Sequence, residues 1–169
     1  METIVIALGG NALTIGGKLA DAETQLSIID NTSLQIADII SQGYRVVMTH
    51  GNSPQVGGIV LQNEASAETT PCMPFDVCGA MSQGMLGYHM TQGLQRAMRL
   101  RGKAGSPVAL ITQVVVDPAD PGFQNPPKPI GAFCTKAEAE RLTQERGYVM
   151  KEDSGRGYRR VVASPLPQR

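Results

Sequence analysis

The sequence predicts an α/β fold built around a mainly parallel sheet, with a small subdomain inserted after its third strand. Two short apolar runs, 4–8 and 44–49, are rich in β-branched residues, which is typical of strands buried on both faces. A segment with helical periodicity separates them, and strand, helix, strand in that order predicts a βαβ unit with parallel strands. A third apolar run, 107–116, follows a long helical stretch and predicts another buried strand.

The charge balance and the hydropathy of the chain argue against a nucleic-acid-binding protein and against a membrane protein. Lys plus Arg and Asp plus Glu both number 15, and the formal net charge of zero predicts no attraction to nucleic acid or to a membrane surface. No apolar run is long enough to span a bilayer, and the chain enters a strand directly after Glu2. We therefore expect a cytoplasmic location. The 169 residues suffice for one well-buried domain, or for one domain with a small appendage.

The three cysteines, Cys72, Cys78 and Cys134, lack the CxxC spacing of common zinc sites. Only His50 and His89 could assist them as ligands. Free buried thiols are therefore favoured over a zinc site.

The first strand ends in Gly9-Gly10-Asn11. Paired glycines allow a tight turn whose N–H groups can approach a ligand, and the asparagine amide can donate or accept hydrogen bonds. Such a turn at the carboxyl edge of a sheet predicts a cradle for a phosphate or an oxyanion. The alternative is a tight strand-to-loop turn that binds nothing.

A second Gly/Asn turn strengthens the ligand-binding interpretation. The helix predicted over 22–42 has Asp21 as its N-cap and Gly43 beyond its end. The strand after it ends in Gly51-Asn52, and Pro54 then opens a second helix with Ser53 as its predicted N-cap. Since parallel strands end at the same edge, the two turns are expected to face one crevice.

A long helix is predicted over 75–101 and carries four glycines at an expected cost of about 1 kcal/mol each. They predict close packing of another backbone or of a ligand against the helix: Gly79, Gly84, Gly87 and Gly93.

The composition changes after Asp117, where a proline-rich stretch begins. A short helix is predicted over 135–146, with Thr135 and Glu138 forming a capping box, and two short strands are predicted to flank 153–160. We divide the chain into an α/β domain (1–116), an inserted lid subdomain (117–161) and a short return segment (162–169).

These motifs resemble carbamate kinase, a member of the amino acid kinase family, and they occur in the family's order over essentially the whole chain. The matching stretches are 7–13, 49–57, 82–84, 112–114, 125–131 and 155–162.

The resemblance implies a three-layer αβα sandwich that interconverts carbamate plus ATP with carbamoyl phosphate plus ADP, using Mg²⁺. Related acetylglutamate and glutamate kinases carry a lysine where this chain has Ala7. The resemblance instead implies that Lys128, in the lid subdomain, supplies the positive charge that neutralises the phosphoryl group. Prolines on both sides predict a stiff loop for Lys128, whereas without the resemblance it would be interpreted as a solvated lysine.

The resemblance also assigns two groups of substrate-binding residues. The phosphoryl group is expected at Gly9, Gly10 and Asn11, and the carbamate carboxylate at Gly51, Asn52 and Ser53. The family normally has glycine at position 53, so the serine adds a Cβ and a hydroxyl there. Two neighbouring cations, Arg159 and Arg160, could contact an anion or brace the lid subdomain, and bracing is favoured.

Members of the family are about twice as long as this chain, and their C-terminal half contains the ATP-binding subdomain. We therefore expect no ATP site within 1–169, inactivity of the chain alone, and association as a homodimer or with a complementing half. The alternative is a non-catalytic module that binds small anions or assembles with a partner.

Overall fold

The structure is a computed structural model, and it describes residues 1–9 and 21–168. Within these residues the chain forms five strands and four helices, in the order β1 (Thr3–Leu8), α1 (Ala22–Ser41), β2 (Arg45–His50), α2 (Ser53–Ala65), α3 (Phe75–Leu100), β3 (Lys128–Cys134), α4 (Lys136–Arg146), β4 (Met150–Glu152) and β5 (Tyr158–Val162).

The predicted βαβ unit is confirmed. Strands β1 and β2 pair in parallel, from Thr3 opposite Arg45 to Leu8 opposite His50. Helix α1 connects them, and the Asp21 side chain caps its start by accepting a hydrogen bond from the N–H of Thr24 at 2.8 Å. The α/β fold class and the parallel sheet therefore agree with the sequence prediction.

Helices α1 and α3 cover one face of the β1–β2 sheet. Ile36 and Ala37 of α1 pack with Leu94 and Met98 of α3, and alternate residues of both strands, including Ile6, lie against this cluster. The other face is exposed at Val5 and Val47. Among the described residues, a helical layer is present on only one face of this sheet.

Two of the four glycines in α3 meet close neighbours, as predicted. A Cβ placed on Gly93 would lie 2.8 Å from Cγ2 of Ile29, and one on Gly87 would lie 2.6 Å from Cβ of Ala109. Gly79 and Gly84 have no atom within 4 Å of that position, so close packing does not explain them.

The predicted buried strand over 107–116 is wrong for the structure described. This segment has no ladder partner except an isolated bridge from Val116 to Pro167, and its apolar side chains are exposed, with Val108 and Leu110 each at 79%. It is held along α3 instead, where Oε1 of Gln83 accepts from the N–H of Thr112 at 2.9 Å. A strand is buried only when neighbours cover it, and the described residues supply none.

The lid subdomain forms its own antiparallel sheet in the order β3-β5-β4. Lys128 is the first residue of β3 and pairs with Val162, so the predicted stiff loop is wrong at this position. Pro129 is tolerated in β3 because this strand lies at the sheet edge, where a missing N–H costs little. The capping box of Thr135 and Glu138 at the start of α4 is confirmed.

Helix α2 is the platform on which the lid subdomain rests. Val56, Ile59 and Val60 of α2 form a buried cluster with Ile130 of β3, and Val162 of β5 packs against it. Burial of this apolar surface attaches the inserted sheet to the α/β domain.

The three cysteines are free, but the prediction that all are buried is wrong for Cys72, which is exposed. Cys78 is buried and Cys134 is half-buried, and burial raises the pKa of both thiols.

None of the helices in the described part of the chain has the length and apolar character required to cross a membrane.

Candidate functional site

The carboxyl ends of β1 and β2 meet at one edge of the sheet. The N–H of Gly51 donates to the carbonyl oxygen of Leu8 at 2.9 Å, which holds the start of the second turn beside the end of the first strand. Gly9 is exposed, and among the described residues no non-neighbouring atom lies within 4 Å of a Cβ built on it. A ligand could therefore approach the backbone there. Gly10 and Asn11 lie outside the described residues.

Asn52 is the N-cap residue of α2 and is oriented by α3. Its Nδ2 donates to Oγ of Ser82 at 2.7 Å, and that hydroxyl donates to the carbonyl oxygen of Gly79 at 2.6 Å. Ser82 is fully buried, so this chain of bonds fixes the Asn52 amide at the sheet edge. The predicted N-cap, Ser53, is instead the first helical residue.

The start of α2 has no side-chain cap. The first intrahelical bond runs from the N–H of Val56 to the carbonyl of Asn52, which leaves the earlier N–H groups of the helix without an intrahelical acceptor. Together with the helix dipole, these groups favour a negative charge at this end.

The side chain of Ser53 is directed to the lid subdomain. Its Oγ donates to the carbonyl oxygen of Pro129 at 2.8 Å and accepts from Nη2 of Arg159 at 3.1 Å. The single hydroxyl proton is used in this contact. The N–H of Ser53 therefore stays a candidate ligand-binding group, whereas its hydroxyl is occupied.

Lys128 is exposed at the start of β3, and its neighbour Pro129 is the residue bonded to Ser53. The structure thus brings Gly9, Gly51, Asn52 and Ser53 to one sheet edge, with the backbone beside Lys128 attached to the start of α2.

The arginine pair braces the lid subdomain, as favoured from the sequence. Arg159 donates to Ser53, to the carbonyl oxygen of Gly131 and to Asp153. Arg160 forms an ion pair with Glu64 of α2 at 2.8 Å. Burial opposes ionisation of Asp153, but hydrogen bonds from Arg159 and Ser154 and the nearby arginine charges hold its pKa below the usual value.

A second cluster joins the lid subdomain to the far end of α2 and was not found by sequence reasoning. The Tyr148 hydroxyl donates to Glu64, and the Arg160 guanidinium stacks 3.9 Å above the tyrosine ring. Burial and the hydrogen bond with Glu64 raise the pKa of Tyr148. The only sequence signal for this cluster is the repeated arginine itself.

Sequence reasoning also passed over Gln55, in the first turn of α2. Its side chain is buried at 3% exposure, and its Oε1 has no hydrogen-bond partner in the described part of the chain. A polar residue one turn after Gly51-Asn52 is the signal that could have identified it.

The chemistry that this edge can perform is anion binding and positioning. It offers backbone N–H groups and the Asn52 amide, and the backbone beside Lys128 is attached to it. Phosphoryl transfer needs positioned donors and charge rather than a protein nucleophile. The described residues contain no group of three or more His, Cys, Asp or Glu side chains that could hold a metal ion.

Comparison with known proteins determines the family. Residues 2–143 match the amino acid kinase family. The chain belongs to this family.

Curated relatives of this family member include carbamate kinases from several organisms. The chain is 50% identical over 169 residues to carbamate kinase from Pyrococcus furiosus, covering 99% of this chain and 54% of that protein. It is 53% identical over 170 residues to the carbamate kinase-like protein YqeA from Escherichia coli, covering 98% of this chain and 53% of that protein. These matches confirm the resemblance to carbamate kinase.

Solved structures confirm the fold. The chain superimposes with a TM-score of 0.94 on carbamate kinase from Giardia lamblia bound to citric acid, at 45% identity, covering 99% of this chain and 54% of that one. The same enzyme bound to AMP-PNP gives a TM-score of 0.79 at 44% identity. The chain spans about half the length of the relatives it matches.

Proposed function

We propose that this chain supplies the carbamate and phosphoryl side of a carbamate kinase site. The reaction would be carbamate plus ATP giving carbamoyl phosphate plus ADP, or its reverse. The observation that carries the proposal is the bond from Gly51 to Leu8, which holds the second turn beside the end of β1, with the strand of Lys128 attached to the same edge through Ser53.

Each residue would act by position and charge. The N–H groups of the first turn, at Gly9 and Gly10 with the amide of Asn11, would hold oxygens of the transferring phosphoryl group. The second turn, through Gly51, Asn52 and the N–H of Ser53, would hold the carbamate carboxylate in line with it. Lys128 would then neutralise charge that develops on the phosphoryl group.

Full-length relatives in the carbamate kinase family use ATP and Mg²⁺. The described residues contain no cluster of three or more His, Cys, Asp or Glu side chains that could hold a metal ion, and we derive no step through Mg²⁺ on this chain. We propose that nucleotide and metal are bound by a complementing polypeptide that covers the exposed face of β1 and β2 and the 107–116 segment. The homology to carbamate kinases does not favour the alternative of a non-catalytic module.

Binding of the substrate tests the proposal directly. Isothermal titration with freshly dissolved carbamoyl phosphate should show weak binding to the 169-residue chain. We expect Lys128→Ala and Asn52→Ala to weaken it by about tenfold or more, because a charged hydrogen bond contributes roughly 1.5–3 kcal/mol. Lys136→Ala removes another exposed lysine of the lid subdomain and should leave the affinity unchanged. Equal affinities of the Lys128 and Lys136 variants would contradict the role of Lys128.

Turnover tests the need for a complementing half. A coupled assay should detect no ATP formation from carbamoyl phosphate and ADP with this chain alone. Turnover by the purified chain that Lys128→Ala abolishes would contradict the expected inactivity while supporting the reaction assigned.

A further inference from the structure

The hydroxyl of Ser53 joins α2 to two strands of the lid subdomain. Its Oγ donates to the carbonyl oxygen of Pro129 in β3 and accepts from Nη2 of Arg159 in β5, at 2.8 and 3.1 Å. The resemblance predicts glycine at this position, and a glycine could make neither bond. The serine therefore adds an attachment between the start of α2 and the inserted sheet.

Arg159 uses every nitrogen of its guanidinium in this attachment. Besides the bond to Ser53, Nε donates to the carbonyl oxygen of Gly131 at 3.1 Å and Nη1 donates to Oδ2 of Asp153 at 3.2 Å. The side chains of Arg159 and Asp153 are only 12% and 15% exposed. The guanidinium also stacks over the Phe133 ring, with 5.1 Å between its carbon and the ring centroid. A largely buried guanidinium that donates from each of its three nitrogens has a restricted geometry, so it couples the position of β5 to those of β3 and α2.

Beside this cluster the backbone of β3 packs closely against α2. A Cβ on Gly57 would lie 2.3 Å from the nitrogen and 2.4 Å from the Cα of Gly131. Gly131 has φ +74°, and the pairing of β3 with β5 shifts register between Ile130 and Cys134. The strand thus bends where it touches the helix, and the bend lies three residues after Lys128.

We propose that Ser53 and Arg159 are positioning residues that fix Lys128 relative to the Gly51-Asn52 turn, an inference that rests on the proposed function. Ser53 binds the carbonyl of Pro129, the residue directly after Lys128, and Arg159 binds the carbonyl of Gly131 further along β3. The two contacts hold the 129–131 segment, which directly follows the lysine. Asp153 and Phe133 in turn hold Arg159.

The test measures the mobility of β3 and substrate binding in the same variants. Ser53→Ala removes only the hydroxyl and keeps the N–H, and Arg159→Lys keeps the charge but loses the planar fork. Arg156→Gln is the matched control, since Arg156 also contacts Asp153 and Phe133 but has no bond to Ser53 or Gly131 among those described. Hydrogen exchange of the 128–134 amides is compared with that of α1, and carbamoyl phosphate affinity is measured by calorimetry.

We expect Ser53→Ala and Arg159→Lys each to increase amide exchange in 128–134 by about tenfold, which corresponds to loss of about one hydrogen bond. Exchange in α1 and in the Arg156→Gln variant should stay unchanged. Ser53→Ala should also weaken carbamoyl phosphate binding, and adding it to Lys128→Ala should weaken binding no further, since the serine acts through the lysine.

Three results would overturn the inference. Unchanged exchange in both variants would mean that these contacts do not hold β3. Fully additive losses in the double variant Ser53→Ala/Lys128→Ala would mean that the serine acts on the ligand independently of the lysine. Wild-type carbamoyl phosphate affinity in Lys128→Ala would contradict the proposed role of the lysine. If amide exchange in 128–134 still increased in Ser53→Ala and Arg159→Lys, the failed claim would be the function proposed for Lys128 and not the attachment of β3.

Discussion

At the start of α2, the orientation of each polar side chain is set by its hydrogen-bond partners in neighbouring elements. Asn52 is bound by Ser82 of α3, and Ser53 by Pro129 and Arg159 of the lid subdomain. Both residues follow the Gly51 turn, yet one side chain faces the long helix and the other faces the inserted sheet. The Asn52 side chain still has groups available for a ligand, because its second amide proton and its oxygen have no hydrogen bond among those described.

The three thiols differ in environment, which predicts graded reactivity. Alkylation by iodoacetamide near pH 8, followed by peptide mass spectrometry, should label exposed Cys72 first. Buried Cys78 should react at least about tenfold more slowly, because burial restricts access and raises its pKa, so that less thiolate is present. Cys72→Ser should remove the fast phase. Equal rates for Cys72 and Cys78 would contradict the burial of Cys78.

At the scale of elements, α2 connects the α/β domain to the lid subdomain. It is attached at its start through Ser53 and Arg159, in its middle through Gly57 and the apolar cluster, and near its end through Glu64. These contacts make the lid subdomain a packed unit on α2 rather than a loose excursion from the sheet.

The contact at Gly57 predicts opposite effects for two glycine substitutions. Gly57→Ala should lower the free energy of unfolding by about 1–3 kcal/mol, since its Cβ would overlap the backbone of Gly131. Gly84→Ala is the control, because open space surrounds that position in α3 and alanine favours helix by up to about 1 kcal/mol. Urea denaturation of both variants measures the difference. Equal effects would show that α2 and β3 are not in close contact.

The Asp153–Arg159 pair predicts a pH dependence of the lid subdomain. The pKa of Asp153 is lowered in the folded state, so its contribution to stability is present above its unfolded pKa of about 3.9 and is lost as pH falls through the lower folded value. Urea unfolding between pH 7 and pH 3 should therefore show a shallower acid loss in Asp153→Asn than in the wild type.

Glu145→Gln is the control for that experiment, since it removes an exposed carboxylate whose pair with Arg141 contributes little. Its acid slope should match that of the wild type. An Asp153→Asn slope equal to that of the wild type would mean that the Asp153–Arg159 pair does not stabilise the fold.

Over the molecule as far as the structure describes it, exposed apolar side chains include two groups next to the parallel sheet and α3. One is the face of β1 and β2 that carries Val5 and Val47, and the other is the 107–116 segment with Val108, Leu110 and Val114. Exposed apolar surface of this extent is typical of a protein that associates with another chain.

This exposure predicts self-association. In sedimentation velocity at increasing concentration, the wild-type chain should form larger species, and Leu110→Ser/Val114→Ser should shift the distribution toward the monomer. Both side chains are exposed, so unfolding free energy should change by no more than about 0.5 kcal/mol per site. Leu61→Ser, at an exposed apolar position on α2, is the control. Identical sedimentation of the double variant and the wild type would contradict the role of this segment.

Local signals in the sequence were enough to predict the βαβ unit, the limits of the helices and the turn at Gly51-Asn52, whereas the turn predicted at Gly9-Gly10-Asn11 lies mostly outside the described residues and stays a prediction. Apolar periodicity, caps such as Asp21 and the Thr135–Glu138 box, and glycines after strands are local signals, and they persist in the fold. The resemblance to carbamate kinase could likewise be recognised from this single sequence, because several of the matching motifs are long and unusual in composition. The residue assignments and the domain limits drawn from it stay predictions.

Tertiary contacts alone show how the Gly51-Asn52 turn connects to the lid subdomain, through Ser53, and which apolar segments of the described chain are left exposed. The 107–116 run has the composition of a buried strand, but burial depends on neighbours that the run itself does not encode. Ser53 was expected to be the N-cap of α2, but its hydroxyl bonds instead to Pro129 and Arg159, which are 76 and 106 positions away in the sequence. Contacts across such separations depend on the packing of whole elements, and for that reason local sequence could not predict them.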